Sequence, residues 1–419
     1  MEKLKVTLPA LRFNTLSTVT KKHFILFLFL LSGFGLYAQD STSWKDKFET
    51  SGYLKAMGTF NHFNKDYLPP FYQDVIPSSY EDYLLHNRFD VKFYPTQHLS
   101  FGIGMRNRLF YGYSVSNVDG YATDLDEDLG YFDLSYLYWE SDEVLLHTIF
   151  DRLWAQWEND KWMVRLGRQR INWGVNTVWN PNDIFNQYNY LDFDYEERPG
   201  SDAIRIQYFP NFNNTIELGF SPAKDIEQSV GALLYKTNKW NYDFQFLGGY
   251  YKQDAVAGIG WAGNLKTAGF KGEANYYAPL TNETEANFTA SLSLDYMFQK
   301  GIYVQLSYLY NGLGESQPNI SDFVTINTQV LDAKHIFIYE NTFLVATSFD
   351  ITPLFKANLA TMLTPDFKNY ILFPTLSYSL GKNLDASFIA QYFIAQNTLQ
   401  NDEVEWLSAA IFGRLKYSF

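Results

Sequence analysis

The sequence predicts an all-β fold: a transmembrane antiparallel up-and-down β-barrel of 18 strands, with 16 as the alternative count, and one inward-folded loop. Many segments alternate apolar and polar residues, which is typical of strands with one apolar and one polar face. Turn-forming residues separate these segments at fairly regular spacing, and no amphipathic helical pattern interrupts them. The apolar face of the last strand holds Leu407, Ala409, Ile411, Gly413, Leu415, Tyr417 and Phe419.

This final strand carries a resemblance. A chain that ends on such a strand with an aromatic residue resembles the outer-membrane β-barrels of Gram-negative bacteria. In that family the terminal aromatic belongs to a signal read by the barrel-assembly machinery, so the resemblance implies that role for Tyr417 and Phe419. The apolar face would then contact outer-membrane lipid.

The other end of the chain has the pattern of a secretory signal peptide, residues 1–38. Lys21 and Lys22 precede the apolar run Phe24 to Leu31, and Ala38 supplies a small residue before the expected cleavage. A transmembrane anchor is the alternative, but a helical span needs about 20 apolar residues. We therefore expect residues 39–419 to form a single barrel domain in the outer membrane.

The overall composition limits the possible functions. The net charge of -13 argues against nucleic-acid binding, and the absence of cysteine excludes disulfides and thiolate metal sites. Aromatic residues make up 19% of the chain, which suits the interfacial girdles of a membrane barrel. No metal or cofactor is predicted. Asp124, Asp126 and Asp128 alternate as in a calcium loop, but the distal glutamate of such loops is missing, so the pattern favours a solvated acidic loop over a calcium site.

The strand count depends on which end of the barrel each connection occupies. Short turns belong at the periplasmic end of such barrels and long loops outside. If the last strand runs from the cell surface toward the periplasm, every short turn lies at the periplasmic end. This holds provided that residues 131–157 contribute one crossing strand. The predicted outer loops are 62–80, 114–130, 173–200, 278–285, 313–334 and 397–403.

The inward faces of the N-terminal strands are rich in basic residues. An arginine facing lipid near the midplane would cost about 2–4 kcal/mol, so these side chains must face water or protein. They are predicted to line the pore and set its charge selectivity, or alternatively to form salt bridges that only stiffen the barrel. The predicted basic wall consists of Arg88, Lys92, Arg106, Arg108, Arg152, Arg165 and Arg205. The C-terminal strands instead predict a neutral, hydroxyl-rich wall.

Residues 161–200 differ from the repetitive strands. Continued alternation would place Arg168 and Arg170 on the lipid-facing side of the strand. The strand must therefore leave the membrane near Gly167 or contain a bulge there. The aromatic residues of 173–200 need burial, which predicts that this loop folds into the barrel as a constriction. Its predicted constriction residues are Trp173, Trp179, Pro181, Asp183, Phe185, Asp192, Asp194, Glu196 and Glu197. The last four would oppose the basic wall.

The same segment carries a second resemblance. The runs LGRQRINWG and WNPNDIF resemble a pattern in porin-like outer-membrane barrels, including those grouped with alginate-export and large-channel porins. The leading prediction is therefore a porin-like channel for passive diffusion of small hydrophilic solutes, with charge selection at the basic wall that favours anionic ones. A plugged barrel with a structural, surface-polysaccharide or assembly role is the alternative. A hydrolase is disfavoured because no histidine lies in a recognisable nucleophile context.

Overall fold

The computed structural model describes residues 44–67, 73, 75–186, 198–316, 331–396 and 403–419. The chain divides into one unit from Met1 to Asp46 and a second from Lys47 to Phe419. The predicted signal peptide, residues 1–38, lies outside the described residues. The second unit is almost entirely β-structure, because its alternating segments pair with their neighbours in sequence.

Nineteen strands occur in the described part of the chain. They are β1 Phe48–Phe63, β2 Ser79–Phe93, β3 Leu99–Gly112, β4 Ser135–Glu140, β5 Val144–Glu158, β6 Trp162–Gln169, β7 Ser201–Asn211, β8 Asn214–Ser221, β9 Val230–Lys239, β10 Tyr242–Tyr251, β11 Asp254–Leu265, β12 Ala268–Pro279, β13 Asn287–Met297, β14 Ile302–Asn311, β15 Asn341–Thr352, β16 Phe355–Leu363, β17 Tyr370–Ser379, β18 Leu384–Gln396 and β19 Val404–Ser418. Two short helices, α1 Tyr113–Asn117 and α2 Tyr121–Asp126, follow β3. Among the described residues, no helix is both long enough and apolar enough to cross a membrane.

Eighteen of these strands close into an antiparallel barrel. The seam is the pairing of β1 with β19, which runs from Tyr53 opposite Ser418 to Phe63 opposite Ser408. β3 pairs directly with β5, whereas β4 pairs only with the first part of β5. Residues 131–157 therefore contribute one crossing strand, and the predicted count of 18 is confirmed. Among the described residues, each of the 18 barrel strands therefore pairs on both sides.

The connections sort by length between the two ends of the barrel. Short turns, such as 212–213, 240–241 and 266–267, lie at the end of the barrel where β1 begins and β19 ends. We call this the turn end. The opposite end, called the loop end, carries the long connections. One connection there is short: Lys252 and Gln253 make a two-residue turn, with φ angles of 44° and 75°.

Exposure alternates along the strands as the sequence predicted. On β10, Gln245 is 2% exposed inside the barrel, whereas Phe246 is 49% exposed on the outer surface. The last strand contains one correction. Leu407 was assigned to the outer face, but it is buried inside, because the pairing of β18 with β19 shifts register between Phe393 and Ile394. A bulge of this kind changes the face on which following residues lie.

The end of β6 resolves the question raised by Arg168. β6 keeps a regular register with both neighbours and ends at Gln169, so the strand terminates there instead of bulging. Gly167 bends the backbone with a φ of 113°, a conformation that favours glycine. Arg168 is buried, and its guanidinium forms ion pairs with Asp202 and Asp128. Burial opposes ionisation of Asp128, but Arg168 and two backbone N–H groups hold its pKa below the usual value.

Candidate functional site: the lumen and two inward segments

Residues 170–186, the first inward segment, enter the barrel from the end of β6. Trp173 and Trp179 are each 1% exposed, and Pro181 and Asp183 are also buried. The Trp173 indole Nε1 donates to Glu217 on β8 at 2.6 Å, and its ring packs edge-on against Phe185. The aromatic residues that predicted an inward-folded loop therefore do pack inside the barrel.

Glu273 on β12 is the main anchor of this segment. Its carboxylate accepts hydrogen bonds from the backbone N–H groups of Val175, Asn176 and Asn182, at donor–acceptor distances of 2.5–2.8 Å. Glu273 is 1% exposed. Buried backbone donors need partners, and a carboxylate forms stronger hydrogen bonds with them than a neutral acceptor does. This side chain therefore holds the segment at two separate stretches of its backbone, 175–176 and 182.

Side chains from neighbouring strands add further contacts. Gln245 donates to the carbonyl of Trp173 at 2.7 Å, and Asn275 donates to that of Pro181 at 2.6 Å. The side chain of Asn182 reaches β11 and donates to the backbone carbonyl of Ile259. Gly260 makes this approach possible, because a Cβ there would lie 2.8 Å from Asn182 Nδ2.

Asp183 is fully enclosed and forms an ion pair with Arg198. Burial raises the pKa of this carboxyl to about 6, although Arg198 and Arg170 oppose the effect. The remaining predicted constriction residues, Asp192, Asp194, Glu196 and Glu197, lie outside the described residues.

Residues 331–340, the second inward segment, also pack inside the barrel. The sequence placed 313–334 among the outer loops but did not predict that residues 331–334 fold into the barrel. Asn311 donates to the carbonyl of Phe337, and Asn287 donates to that of Lys334, both at 2.5 Å. The Lys334 ammonium lies 2.7 Å from the buried carboxylate of Asp254. The segment is therefore tied to the wall at several points.

The two inward segments share two apolar clusters, and the larger contact lies around Trp179 and Phe337. The rings of Trp179 and Phe337 have centroids 6.1 Å apart. Around them lie buried residues of both segments and of strands β14–β19: Leu309, Ile336, Ile338, Tyr339, Leu344, Met362, Ile371, Phe373, Phe393, Ala395 and Leu407. The apolar residues that face inward on the C-terminal strands explain this cluster, and together the segments narrow the lumen.

Several predicted basic-wall residues form ion pairs instead of standing alone. Arg88 contacts Asp90 and Asp151, each at 2.7 Å, and Arg106 lies 3.4 Å from Asp151. Arg152 donates to the carbonyls of Asp151 and Arg198. Asp151 thus collects three guanidinium groups around one buried carboxylate.

The other predicted basic residues lie further along the same wall. Arg205 pairs with Glu217 at 2.6 Å, which links it to the anchor of Trp173. Arg165 donates to Gln156 and lies over the ring of Trp154, with its guanidinium carbon 4.3 Å from the ring centroid. Lys92 pairs with Glu49 near the turn end, where both side chains are exposed.

Three basic residues of this wall were missed. Lys55 pairs in register with Lys416, and Arg414 lies opposite Met57 across the β1–β19 seam. The alternation of apolar and polar residues in β1 and β19 could have identified them, since it places Lys55, Arg414 and Lys416 on the inward face. Only the closed pairing of the first and last strands places them beside Arg88.

Two cavities lie along the inner faces of β18 and β19. The turn-end chamber, of about 520 Å³, is lined by Pro353, Leu354, Lys356, Ser377, Tyr378, Ser379, Asp385, Ser387, Arg414 and Lys416. The loop-end chamber, of about 480 Å³, is lined by Asn61, Phe63, Val75, Ile76, Pro77, Tyr80, Tyr113, Asn117, Val118, Asp119, Gln391, Phe393, Leu407, Ser408, Ala409 and Ala410. The serines agree with the hydroxyl-rich C-terminal wall that the sequence predicted, but Lys356, Asp385, Arg414 and Lys416 line the same chamber, so the predicted neutrality of this wall was wrong.

A cluster near the loop end superficially resembles a catalytic triad. Ser135 Oγ lies 2.6 Å from His147 Nε2 and 3.0 Å from Asp126. Arg108 lies 3.0 Å from His147 Nδ1, and a guanidinium can only donate, so Nδ1 accepts and Nε2 carries the proton. This imidazole donates to Ser135 and does not take up its proton. The geometry therefore does not activate a serine nucleophile.

Tyr417 and Phe419, the predicted insertion signal, lie at the turn end on the outer face. Both side chains are exposed, at 48% and 41%. The backbone N–H of Phe419 donates to the carbonyl of Gly52, and the N–H of Gly52 donates back, each at 3.0 Å. The last residue thus completes the seam, while its proposed recognition stays a prediction.

Comparison with known proteins identifies the fold. A scan against protein-family models found no match, and neither did a search of curated proteins. Solved structures do match: Acinetobacter baumannii OccAB3 is 13% identical with a TM-score of 0.55, covering 89% of this chain and 99% of that one.

Two proteins of Pseudomonas aeruginosa also match. OccK11 (OpdR) is 10% identical with a TM-score of 0.53, covering 92% of this chain and 100% of that one. OpdK, solved with vanillate, is 7% identical with a TM-score of 0.53, covering 90% of this chain and 100% of that one. At these identities the likeness shows that the chain shares their 18-stranded barrel fold.

Proposed function

We propose that the chain is an outer-membrane porin through which small hydrophilic solutes, anionic ones among them, diffuse passively. The observation that carries this proposal is the contrast between the two faces of a closed sheet. Outward residues such as Ile103, Leu166 and Phe246 are exposed at 45–58%. A closed barrel satisfies its backbone internally, so this apolar band suits lipid, while the polar inner face suits water.

The path of the solute would run from the loop end to the turn end, along β18, β19, β1 and β2. The inward segments would select by size, and the basic wall would favour anions. Arg414 and Lys416 line the turn-end chamber, where they could accept an anion that has passed the segments. We place Asp192, Asp194, Glu196 and Glu197 opposite the basic wall as part of the same proposal. One of the similar structures was solved with vanillate, which agrees with an anionic solute.

Export to the outer membrane completes the proposal. Residues 1–38 would direct secretion and be removed, and the barrel-assembly machinery would read the aromatic end of β19. The runs around Trp173 and Trp179 would serve to hold the first inward segment in place.

Planar-bilayer recording tests the channel directly. Folded protein is expected to give ohmic single channels with a preference for anions. Replacing both Arg414 and Lys416 with glutamine should lower the anion preference, because their charges face the path. Lys239→Gln, at an exposed turn-end position, is the matched control. Folded barrels without conductance would contradict the channel, and unchanged selectivity in the double variant would contradict only the charge mechanism.

A plugged barrel with a structural, surface-polysaccharide or assembly role is the second candidate. The apolar cluster around Trp179 and Phe337 favours it, since two inward segments packed together leave less space for solute. This candidate predicts folded barrels that insert into bilayers but stay closed, and that co-purify with a periplasmic or surface component.

A further inference from the structure

The loop-end chamber contains an ordered row of aromatic rings. The centroids of Phe63 and Tyr80 are 5.9 Å apart with planes inclined by 18°, and those of Tyr80 and Tyr113 are 4.8 Å apart with planes inclined by 27°. These rings come from β1, β2 and α1, three different elements. All three are half-buried and line the chamber.

Local structure holds Tyr113 at this position. Gly112 has a φ of 133°, and a Cβ there would lie 2.5 Å from the carbonyl oxygen of Glu81, so only glycine lets the chain turn from β3 into α1. Asp82 then accepts hydrogen bonds from the backbone N–H and the hydroxyl of Ser114, at 2.8 and 2.7 Å. Side chains of the barrel wall thus fix the helix that carries the third ring.

Polar groups surround the aromatic row, and they are mostly uncharged. Asn61, Asn117, Gln391 and Ser408 contribute amide and hydroxyl groups, and Asp119 is the charged residue among the lining residues. Among the residues that the structure describes, no lysine or arginine lines this chamber, whereas Arg414 and Lys416 line the turn-end chamber. The described lining of the loop-end chamber therefore offers no cation to recognise a carboxylate or phosphate.

Aromatic faces beside amides, hydroxyls and a carboxylate match the chemistry of a sugar ring. A pyranose has apolar C–H faces that pack on aromatic rings, and hydroxyl groups around its edge that exchange hydrogen bonds with such polar side chains. The chamber volume of about 480 Å³ lies in the range of small-molecule sites. We propose that the loop-end chamber binds neutral sugars, holding the ring against Tyr80 and Tyr113 before the solute reaches the inward segments.

This inference rests on the proposed porin function, because it assigns a solute class to that path. Isothermal titration calorimetry on the detergent-solubilised protein measures binding without requiring conduction. Glucose, sucrose and maltotriose are the probes, and sodium benzoate is the comparison for an aromatic anion. Tyr113→Ala and, separately, Tyr80→Leu are expected to weaken sugar binding roughly tenfold. Tyr303→Ala, on the inner face of β14, is the matched control and should bind as the parent does.

Recording in planar bilayers separates the two proposals. Sugar added on the loop-end side should interrupt the current in a concentration-dependent manner, and Tyr113→Ala should shorten the interruptions. An open channel that sugars neither bind nor interrupt would overturn the sugar site and leave the porin intact. Binding of benzoate but not of sugars would also overturn it. Sugar binding that Tyr113→Ala weakens, in a barrel that never conducts, would uphold the site and contradict the porin.

Discussion

The two inward segments occupy the same lumen and both bury apolar residues, but they differ in the polar groups that hold their backbones. The first, residues 170–186, depends on buried carboxylates: Glu273 accepts three of its backbone N–H groups, and Glu217 accepts the indole of Trp173. The second, residues 331–340, presents its carbonyls to side-chain donors such as Asn287 and Asn311 and buries a run of apolar residues.

This difference has consequences for stability. A buried carboxylate that loses its donors, or donors that lose their carboxylate, leave polar groups without partners in a low-dielectric interior. Apolar burial is spread over many contacts and depends less on any one of them. We therefore expect the first segment to respond sharply to single polar changes, and the second to respond mainly to lost volume.

The largest effect is expected for Glu273→Ala. Each orphaned buried N–H costs about 1–3 kcal/mol, and this change orphans those of Val175, Asn176 and Asn182 together. The first inward segment should leave its position, which widens the lumen. Single-channel conductance should rise, and the first segment should become sensitive to protease in folded barrels.

Glu285→Ala, at an exposed position in the connection after β12, is the control for this change and should behave as the parent does. Unchanged conductance and unchanged protease resistance in Glu273→Ala would show that the carboxylate anchor is dispensable, and the contrast between the segments would fail.

Phe337→Ala should have the next largest effect. Removing a buried phenylalanine costs about 3–5 kcal/mol, but the surrounding apolar residues can partly close the cavity. The melting temperature should fall, while the second segment keeps its hydrogen bonds to Asn287 and Asn311 and stays in place. Conductance should therefore change less than in Glu273→Ala. Phe343→Ala, which removes an outward ring, is the comparison, and equal conductance increases in both Phe337→Ala and Glu273→Ala would contradict the distinction.

The sequence was informative wherever a local pattern decided the structure. Alternation, together with the lengths of the connections, predicted the closed sheet of 18 strands, and the aromatic residues around Trp173 and Trp179 predicted the first inward segment. The second segment was missed because Ile336, Phe337 and Ile338 form a short apolar run, which does not reveal whether it joins a strand or packs beneath one. Its partners come from six strands that are distant in sequence. Likewise, the inward position of Leu407 depends on a bulge, and the addition of Lys55 to the basic wall depends on closure at the seam.

The smallest effect is expected from Asp183→Asn, and it concerns pH. Burial raises the pKa of Asp183 to about 6, so the folded barrel favours the protonated carboxyl. Its contribution to stability is fully present below the unfolded-state pKa of 3.8 and is lost as the pH rises through about 6. The pairing with Arg198 limits the loss at neutral pH. The melting temperature of the parent should therefore fall between pH 4 and pH 7 by more than that of Asp183→Asn, whereas Asp160→Asn, at an exposed turn-end position, should follow the parent. Parallel curves of melting temperature against pH for the parent and Asp183→Asn would show that the first segment is insensitive to this carboxyl. The polar anchoring of the segment would then depend on Glu273 and Glu217 alone.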